Sequence, residues 1–450
     1  MSYDTTGRLG FDSASKLGHL PVIKSKWVNS LVDDFENIEM PETDLSQTEW
    51  SEFNEKGLQP FSRIWAVDGS YVSVKSGGKS PKEVAFVKTA LLYIDKAKLD
   101  EIDKENPHPL LLQDIMSDSA IFHATVFPLR NVKTSLGSNY DAIRNIANDS
   151  MKIDGNGVFY ETLKWLVYKK WDNEETKSPA FDCPCCRKEI SGLDFNMDEI
   201  TCPNCKEKVF LTDMIGFHLE MEEDSAPDAV ASAYMLIMEV LMLFTAIRRK
   251  WDEDKDRNNS KKELSDTLFI KDGPLTLGKQ YSKLVPCIRD FLQFAKDSSC
   301  PIYIIGQEKS GKFVDHLSAI STYTAPFQYS ENIRYYPLTH QYVRKEVQRR
   351  ANFGSPYGKR SNWGEKLYVK LDPTTNLVLS VPTGAYNKSD NFPKADDLIG
   401  LNRILATLPS LVSRRFESAL FPIELANGIA SMSSYPSARI LQSFLDKNKQ

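Results

Sequence analysis

At FSRIWAVDGSYVSVKSGG (61–78) the chain changes character. Apolar and β-branched residues alternate on both sides of Asp68-Gly69, a dipeptide that ordinarily marks a turn. The segment therefore reads as two strands joined by a tight turn, with the Asp68 carboxylate at a strand end. EVAFVKTALLYID (83–95) reads as a third strand, so a β-meander opens the folded part of the chain. Upstream, SKWVNSLVDDFENIEM (25–40) carries apolar residues at helical spacing within a polar surround, and residues 1–60 read as an N-terminal helical arm.

Downstream, the pattern alternates. SNYDAIRNIANDSMK and VFYETLKWLVYKKW have helical spacing. A long apolar helix runs from about Ala226 to Trp251, with Pro227 suited to its first turn. TLFIKDGPL (267–275) and PIYIIGQEK (301–309) read as buried strands separated by the helix YSKLVPCIRDFLQFAK (281–296). EKLYVKLDP-TTN-LVLSVP (365–382) reads as a hairpin, followed by helices near 396–408 and 422–430. Strands alternating with helices imply an α/β fold built on a mixed sheet flanked by helices. The 450 residues leave room for two or three domains.

Composition is ordinary for a soluble globular protein, 41% hydrophobic and 26% charged. A net charge of −5 does not advertise a nucleic-acid binder, but binding depends on where charge lies rather than on its sum. The polar N-terminus lacks an apolar signal region. The run AYMLIMEVLMLFTAI (233–247) is short for a bilayer and carries Glu239 at its middle. The expectation is a cytoplasmic protein.

Five of the seven cysteines lie between 183 and 205. Cys183-Pro-Cys-Cys186 and Cys202-Pro-Asn-Cys205 form two CxxC pairs with fifteen residues between them. Each pair places two thiolates on one knuckle, and two knuckles close a tetrahedral shell around Zn2+. Residues 181–210 therefore read as an inserted zinc ribbon with ligands Cys183, Cys186, Cys202 and Cys205, and Cys185 as a bystander. Four thiolates leave no open position, so this zinc is structural. The ribbon divides the main domain into a first part, 61–180, and a second part, 211–450.

A different chemistry is implied by three carboxylates. Asp68 follows an apolar strand in WAVDGS, and Asp272 repeats the arrangement in LFIKDGPL. Glu239 sits inside YMLIMEVLMLF, where an unpaired buried carboxylate is costly and calls for a cation, a donor or a metal. Alone, each DG is a turn and Glu239 the edge of an apolar stripe. Together, in the order strand Asp, helix Glu, strand Asp, they have the layout of an RNase H-like site. Such a set suits Mn2+ or Mg2+, which prefer oxygen ligands.

With those motifs in place, the chain resembles the NurA 5′-to-3′ nucleases over about residues 60–445. WAVDGS, the helix around Glu239 and FIKDGPL are similar to the family's three acidic motifs, and IIGQEKSGKFVDHL (304–317) supplies Lys309 near the site. The C-terminal FPIELANGIA (421–430) is similar to the family's last motif but has Phe421 and Ile429 where members often carry Tyr and His. The resemblance implies an RNase H-like fold, a metal-dependent deoxyribonuclease using Mn2+ or Mg2+ at Asp68, Glu239 and Asp272 with Lys309 on the phosphate, and a homodimer. It also implies partnership with a HerA-type hexameric ATPase on single- and double-stranded DNA ends, in repair or defence against invading DNA. The missing histidine keeps a second expectation in view, a catalytically impaired DNA-end adaptor that recruits a partner through its ribbon.

Three basic segments are candidates to track a phosphate backbone: RRK (248–250), YVRKEVQRR (342–350) and YGKRSNWGEK (357–366), with Tyr342, Tyr357 and Trp363 interleaved for base stacking. GQEKSGK (306–312) lacks the spacing of a nucleotide-binding loop. His218 reads as structural, and His316 as a residue that its loop could bring to the acidic site.

Overall fold

The computed structural model describes residues 24–34, 50–54, 57–77, 79–103, 108, 110–111, 115, 120–172, 174–221, 228–253, 259–323, 332–349, 356–413, 419–432 and 436–447. The chain forms two units, Met1–Asp44 and Leu45–Gln450. In the first, helix α1 (Lys26–Asp34) buries no residue; residues 1–23 and 35–49 of the expected helical arm lie outside the described residues.

The second unit is built on a nine-stranded mixed sheet. Its strands are β1 (Ser51–Glu52), β2 (Arg63–Lys75), β3 (Glu83–Asp95), β4 (Ala120–Arg130), β9 (Thr267–Asp272), β10 (Tyr303–Glu308), β11 (Arg334–Pro337), β12 (Glu365–Lys370) and β13 (Asn376–Val381). Strands β5 to β8 belong to the ribbon. The order is β1-β11-β12-β13-β10-β9-β2-β3-β4. β2, β3 and β4 form an antiparallel meander; β9 runs parallel to β2, and β10 parallel to β9. The remaining neighbours are antiparallel, including the expected hairpin β12–β13.

The turn expected at Asp68-Gly69 does not exist. β2 is one unbroken strand, with Asp68 opposite Ala90 and Gly69 opposite Thr89 on β3. The glycine answers a packing need instead. A Cβ at Gly69 would lie 2.5 Å from Met235 Cγ and 2.8 Å from Glu239 Oε1, both on the helix that crosses the strand. Glycine inside a strand commonly marks such a close approach. The meander is consequently completed by β4, AIFHATVFPLR, a strand the sequence pattern had not disclosed.

Helices cover both faces. α3 (Asn139–Ile153), α4 (Val158–Val167), α5 (Ala229–Glu253) and α7 (Leu284–Asp297) share one apolar cluster with Val67, Val87, Phe269 and Ile304 of the sheet. α9 (Leu401–Thr407) and α10 (Phe421–Ala430) pack on the other face against Ile64, Leu92, Leu268, Ile305 and Leu379. Further helices among the described residues include α2 (Lys96–Asp100), α6 (Asn259–Ser265), α8 (Lys312–Tyr323) and α11 (Ser437–Lys447). Alternation along each strand divides the side chains between the two clusters. α5 is long and apolar enough to cross a membrane, yet 83% of its apolar window is buried inside the protein. It is the core helix of the domain. Its register is fixed to β4 by His123, whose Nδ1 meets Asp154 at 2.6 Å and whose Nε2 meets the Tyr234 hydroxyl at 2.9 Å.

The ribbon consists of two short hairpins, β5–β6 (Phe181–Asp182, Glu189–Ile190) and β7–β8 (Glu199–Thr201, Lys208–Phe210). It is sewn onto α3 and α4. Arg144 donates to both carboxylate oxygens of Asp213, each at 2.8 Å, and to the Lys208 carbonyl. Tyr140 donates to the Pro184 carbonyl at 2.7 Å, and Lys164 pairs with Asp198 at 2.9 Å. Cys183, Cys202, Leu193 and Val209 join the main apolar cluster.

Candidate active site

β2 and β9 are registered as far as Val67 opposite Lys271. One residue further, at Asp272, β9 ends and the chain turns at Gly273 (φ 76°), while β2 continues beside β3. Asp68 and Asp272 thus stand at the point where the parallel ladder ends, with Gln307 of β10 opposite Asp272. Crevices outside the carboxyl ends of parallel strands are where open α/β sheets bind ligands. By alternation Asp68 and Asp272 fall on the face of Ile64 and Leu268, the face covered by α10. Glu239 arrives from the opposite face on α5 and reaches the sheet through the gap left by Gly69.

Asp68 feels both of the other carboxylates. Burial, then Asp272, then Glu239 push the Asp68 carboxyl from 3.8 up to about 7. Asp68 is 4% exposed and accepts the Gly69 N–H at 2.7 Å. Glu239 is raised by burial and held down by Lys271, whose Nζ lies 2.6 Å from its Oε2. Asp272 pairs with Lys309 at 2.9 Å, and that lysine stays partly exposed. The four expected site residues therefore lie near one another, with Asp68 and Asp272 on one face of the sheet and Glu239 reaching it from the other. Among the described residues, however, their oxygens do not close into a three-ligand group within 4.8 Å, as the four cysteine sulfurs do. The donor set suits a hard divalent cation, because a carboxylate so deeply desolvated needs either a proton or a cation.

Lys271 and Gln307 escaped the sequence reading. Lys271 is 1% exposed, and its signal was a lysine inside the otherwise apolar strand TLFIKD. Gln307 is fully buried and accepts the Leu420 N–H at 3.1 Å, tying β10 to the start of α10. On α10, Phe421 is buried in the apolar cluster and Ile429 packs against it, so neither position offers a ligand atom from its side chain. Lys88 donates instead to the Ile429 carbonyl at 2.6 Å. His316 does not approach the acids. It meets the Tyr368 hydroxyl at 3.1 Å, and burial lowers its imidazole to about 4. His218 is buried beside Asp213, at 3.8 Å, and burial likewise takes it to about 4.

The cysteines form a second centre. Cys183, Cys186, Cys202 and Cys205 have all their sulfurs within 4.8 Å, with Cys183–Cys205 at 3.7 Å and Cys186–Cys202 at 3.8 Å. Zn–S bonds of about 2.3 Å in a tetrahedron require S···S separations of roughly 3.8 Å, so the cage has the size of a structural zinc site. The knuckles repeat one geometry. Arg187 and Lys206 follow with φ 58° and 68°, and their N–H groups return to the carbonyls of Cys183 and Cys202 at 2.9 and 3.0 Å. Cys185 is exposed and outside the cage.

The expected stacking surface is corrected. Tyr342 is 9% exposed and Trp363 only 2%, so both serve packing and are closed to bases. Arg248 is spent on Thr162 and the Val158 carbonyl, and Lys250 on Glu253 and Glu263. Lys359 and Arg360 remain exposed. No protein-family model and no curated protein matches this chain.

Proposed function

We propose that this protein is a metal-dependent deoxyribonuclease that processes DNA ends, with an RNase H-like core and an inserted zinc ribbon. The observation that carries the reading is the convergence of Asp68 from β2, Asp272 from β9 and Glu239 from α5, close enough that Asp272 and Glu239 both push the Asp68 carboxyl up. The succession of strands supports it: an antiparallel meander, then two strands parallel to its first, is what an RNase H-like core requires.

Asp68 and Asp272 would hold Mn2+ or Mg2+, which when bound supplies a nucleophilic water and offsets charge on the leaving oxygen. Lys309 is placed to exchange its Asp272 partner for a phosphate oxygen. Lys271 and Gly69 set the position of Glu239. In this reading the protein acts in the cytoplasm, as a homodimer, with a HerA-type hexameric ATPase feeding DNA to it, in repair or defence. A second reading, a catalytically impaired end-binding adaptor, is favoured by the apolar setting of Phe421 and Ile429.

The test is digestion of end-labelled linear and circular DNA with Mn2+, Mg2+ or no divalent cation. Metal-dependent loss of DNA that disappears in Asp68→Ala and Asp272→Ala, by at least about 10²-fold, supports the nuclease. Intact substrates under every condition, with a HerA-type ATPase present, leave the adaptor.

A further inference from the structure

We infer that the acidic site is built for a single divalent cation, and that Lys271 takes the electrostatic place of a second one at Glu239. The inference rests on the reading of Asp68 and Asp272 as metal ligands.

Lys271 and Asp272 are consecutive on β9 and so project to opposite faces of the sheet. Asp272 goes to the face of α10, where Asp68 lies. Lys271 goes to the face of α5 and is 1% exposed there. Its Nζ touches Glu239 Oε2 at 2.6 Å and the Asp272 carbonyl at 2.6 Å. The sheet backbone thus separates two charge systems. On one side a buried ammonium already answers a buried carboxylate. On the other, Asp68 is 4% exposed and accepts the N–H of its own neighbour, Gly69. Asp272 has a partly exposed lysine that can leave.

A two-ion site needs dications about 3.5–4 Å apart, bridged by shared ligands. Here a second dication would have to share Glu239 with a lysine at contact distance, in a medium that screens like charges poorly. Lys271 cannot move to solvent without crossing the α5 packing, and leaving it unpaired inside is costly. One buried carboxylate without a cationic side chain at contact distance and one exchangeable carboxylate remain, enough for one ion whose other positions water and substrate fill, as Mg2+ sites commonly do.

The experiment is Mn2+ titration of the zinc-loaded full chain, read by electron paramagnetic resonance of the free ion and by calorimetry. Thiolate sites do not compete for this hard ion. The expected result is one equivalent per chain, weakened at least about tenfold in Asp68→Asn by the lost ligand charge. Lys271→Met should gain a second equivalent. Glu239→Gln, which keeps the size of the side chain, should retain one. Two equivalents in the wild type, none in Glu239→Gln, or one in a folded Lys271→Met overturns the inference. DNA cleavage is followed in the same samples, so one bound Mn2+ without cleavage defeats the nuclease while leaving the count intact.

Discussion

Asp68 is where burial and charge conflict most directly. Its carboxyl is at about 7 in the folded protein against 3.8 ordinarily, through burial first and the neighbouring acids second. Between those values the folded state holds a proton that the unfolded chain has released. Stability then falls as pH rises, at up to ~1.4 kcal/mol per pH unit for this group. Asp68→Asn removes that slope. Without added divalent cation, the variant should therefore gain on the wild type progressively between pH 4 and 7, as read from urea midpoints. A difference that stays flat across that range would mean the carboxyl is not held protonated. Divalent cation should close the gap by replacing the proton in the wild type alone. The sequence marked Asp68 as a candidate but could not reveal this state, which depends on what α5 and β9 bring beside it.

At the scale of elements, the decisive contact is α5 across β2 at Gly69. Dipeptide statistics made Asp68-Gly69 a turn, because Gly is permissive and Asp caps turns. Tertiary packing overrode that tendency: the strand is continuous and the glycine makes room for Met235 and Glu239. Gly69→Ala is accordingly expected to destabilise the protein by about 1–3 kcal/mol, the usual cost of forcing atoms into a filled site. A chemical denaturation curve measures it, and an unchanged midpoint would show that α5 does not press on the strand. β10, β12 and β13 were legible because their apolar runs are bounded by turn residues. β4 was not, since Phe122 and Val126 lie exposed on the edge strand and break the expected in–out pattern.

Across the whole molecule the ribbon is no appendage. Cys183 and Cys202 belong to the same apolar cluster as α3, α4 and α5, and Arg144–Asp213 is a buried pair across the junction. Structural zinc in isolated fingers is worth an apparent ~10–16 kcal/mol, so its loss here should lower stability by several kcal/mol. Because the core is shared, Cys183→Ser should lower the main unfolding transition of the Leu45–Gln450 unit. Calorimetry on protein whose zinc content has been measured tests this. A separate early transition, with the main one unmoved, would show the ribbon to be independent.

What the sequence alone determined was the chemistry of local patterns. Two CxxC knuckles specify a tetrahedral thiolate cage whatever surrounds them, because each knuckle's bite is set by a few backbone torsions. The apolar runs around Ile270, Ile305 and Leu379 likewise specified buried strands, and the order Asp68, Glu239, Asp272 named the acids that the fold gathers. Tertiary structure decided the rest, because these properties belong to pairs distant in the chain. It turned Asp68-Gly69 into a strand crossing, closed Tyr342 and Trp363 to solvent, and set Lys271 against Glu239. Burial and charge at a residue are fixed by what packs on it, and no local stretch of sequence contains that information.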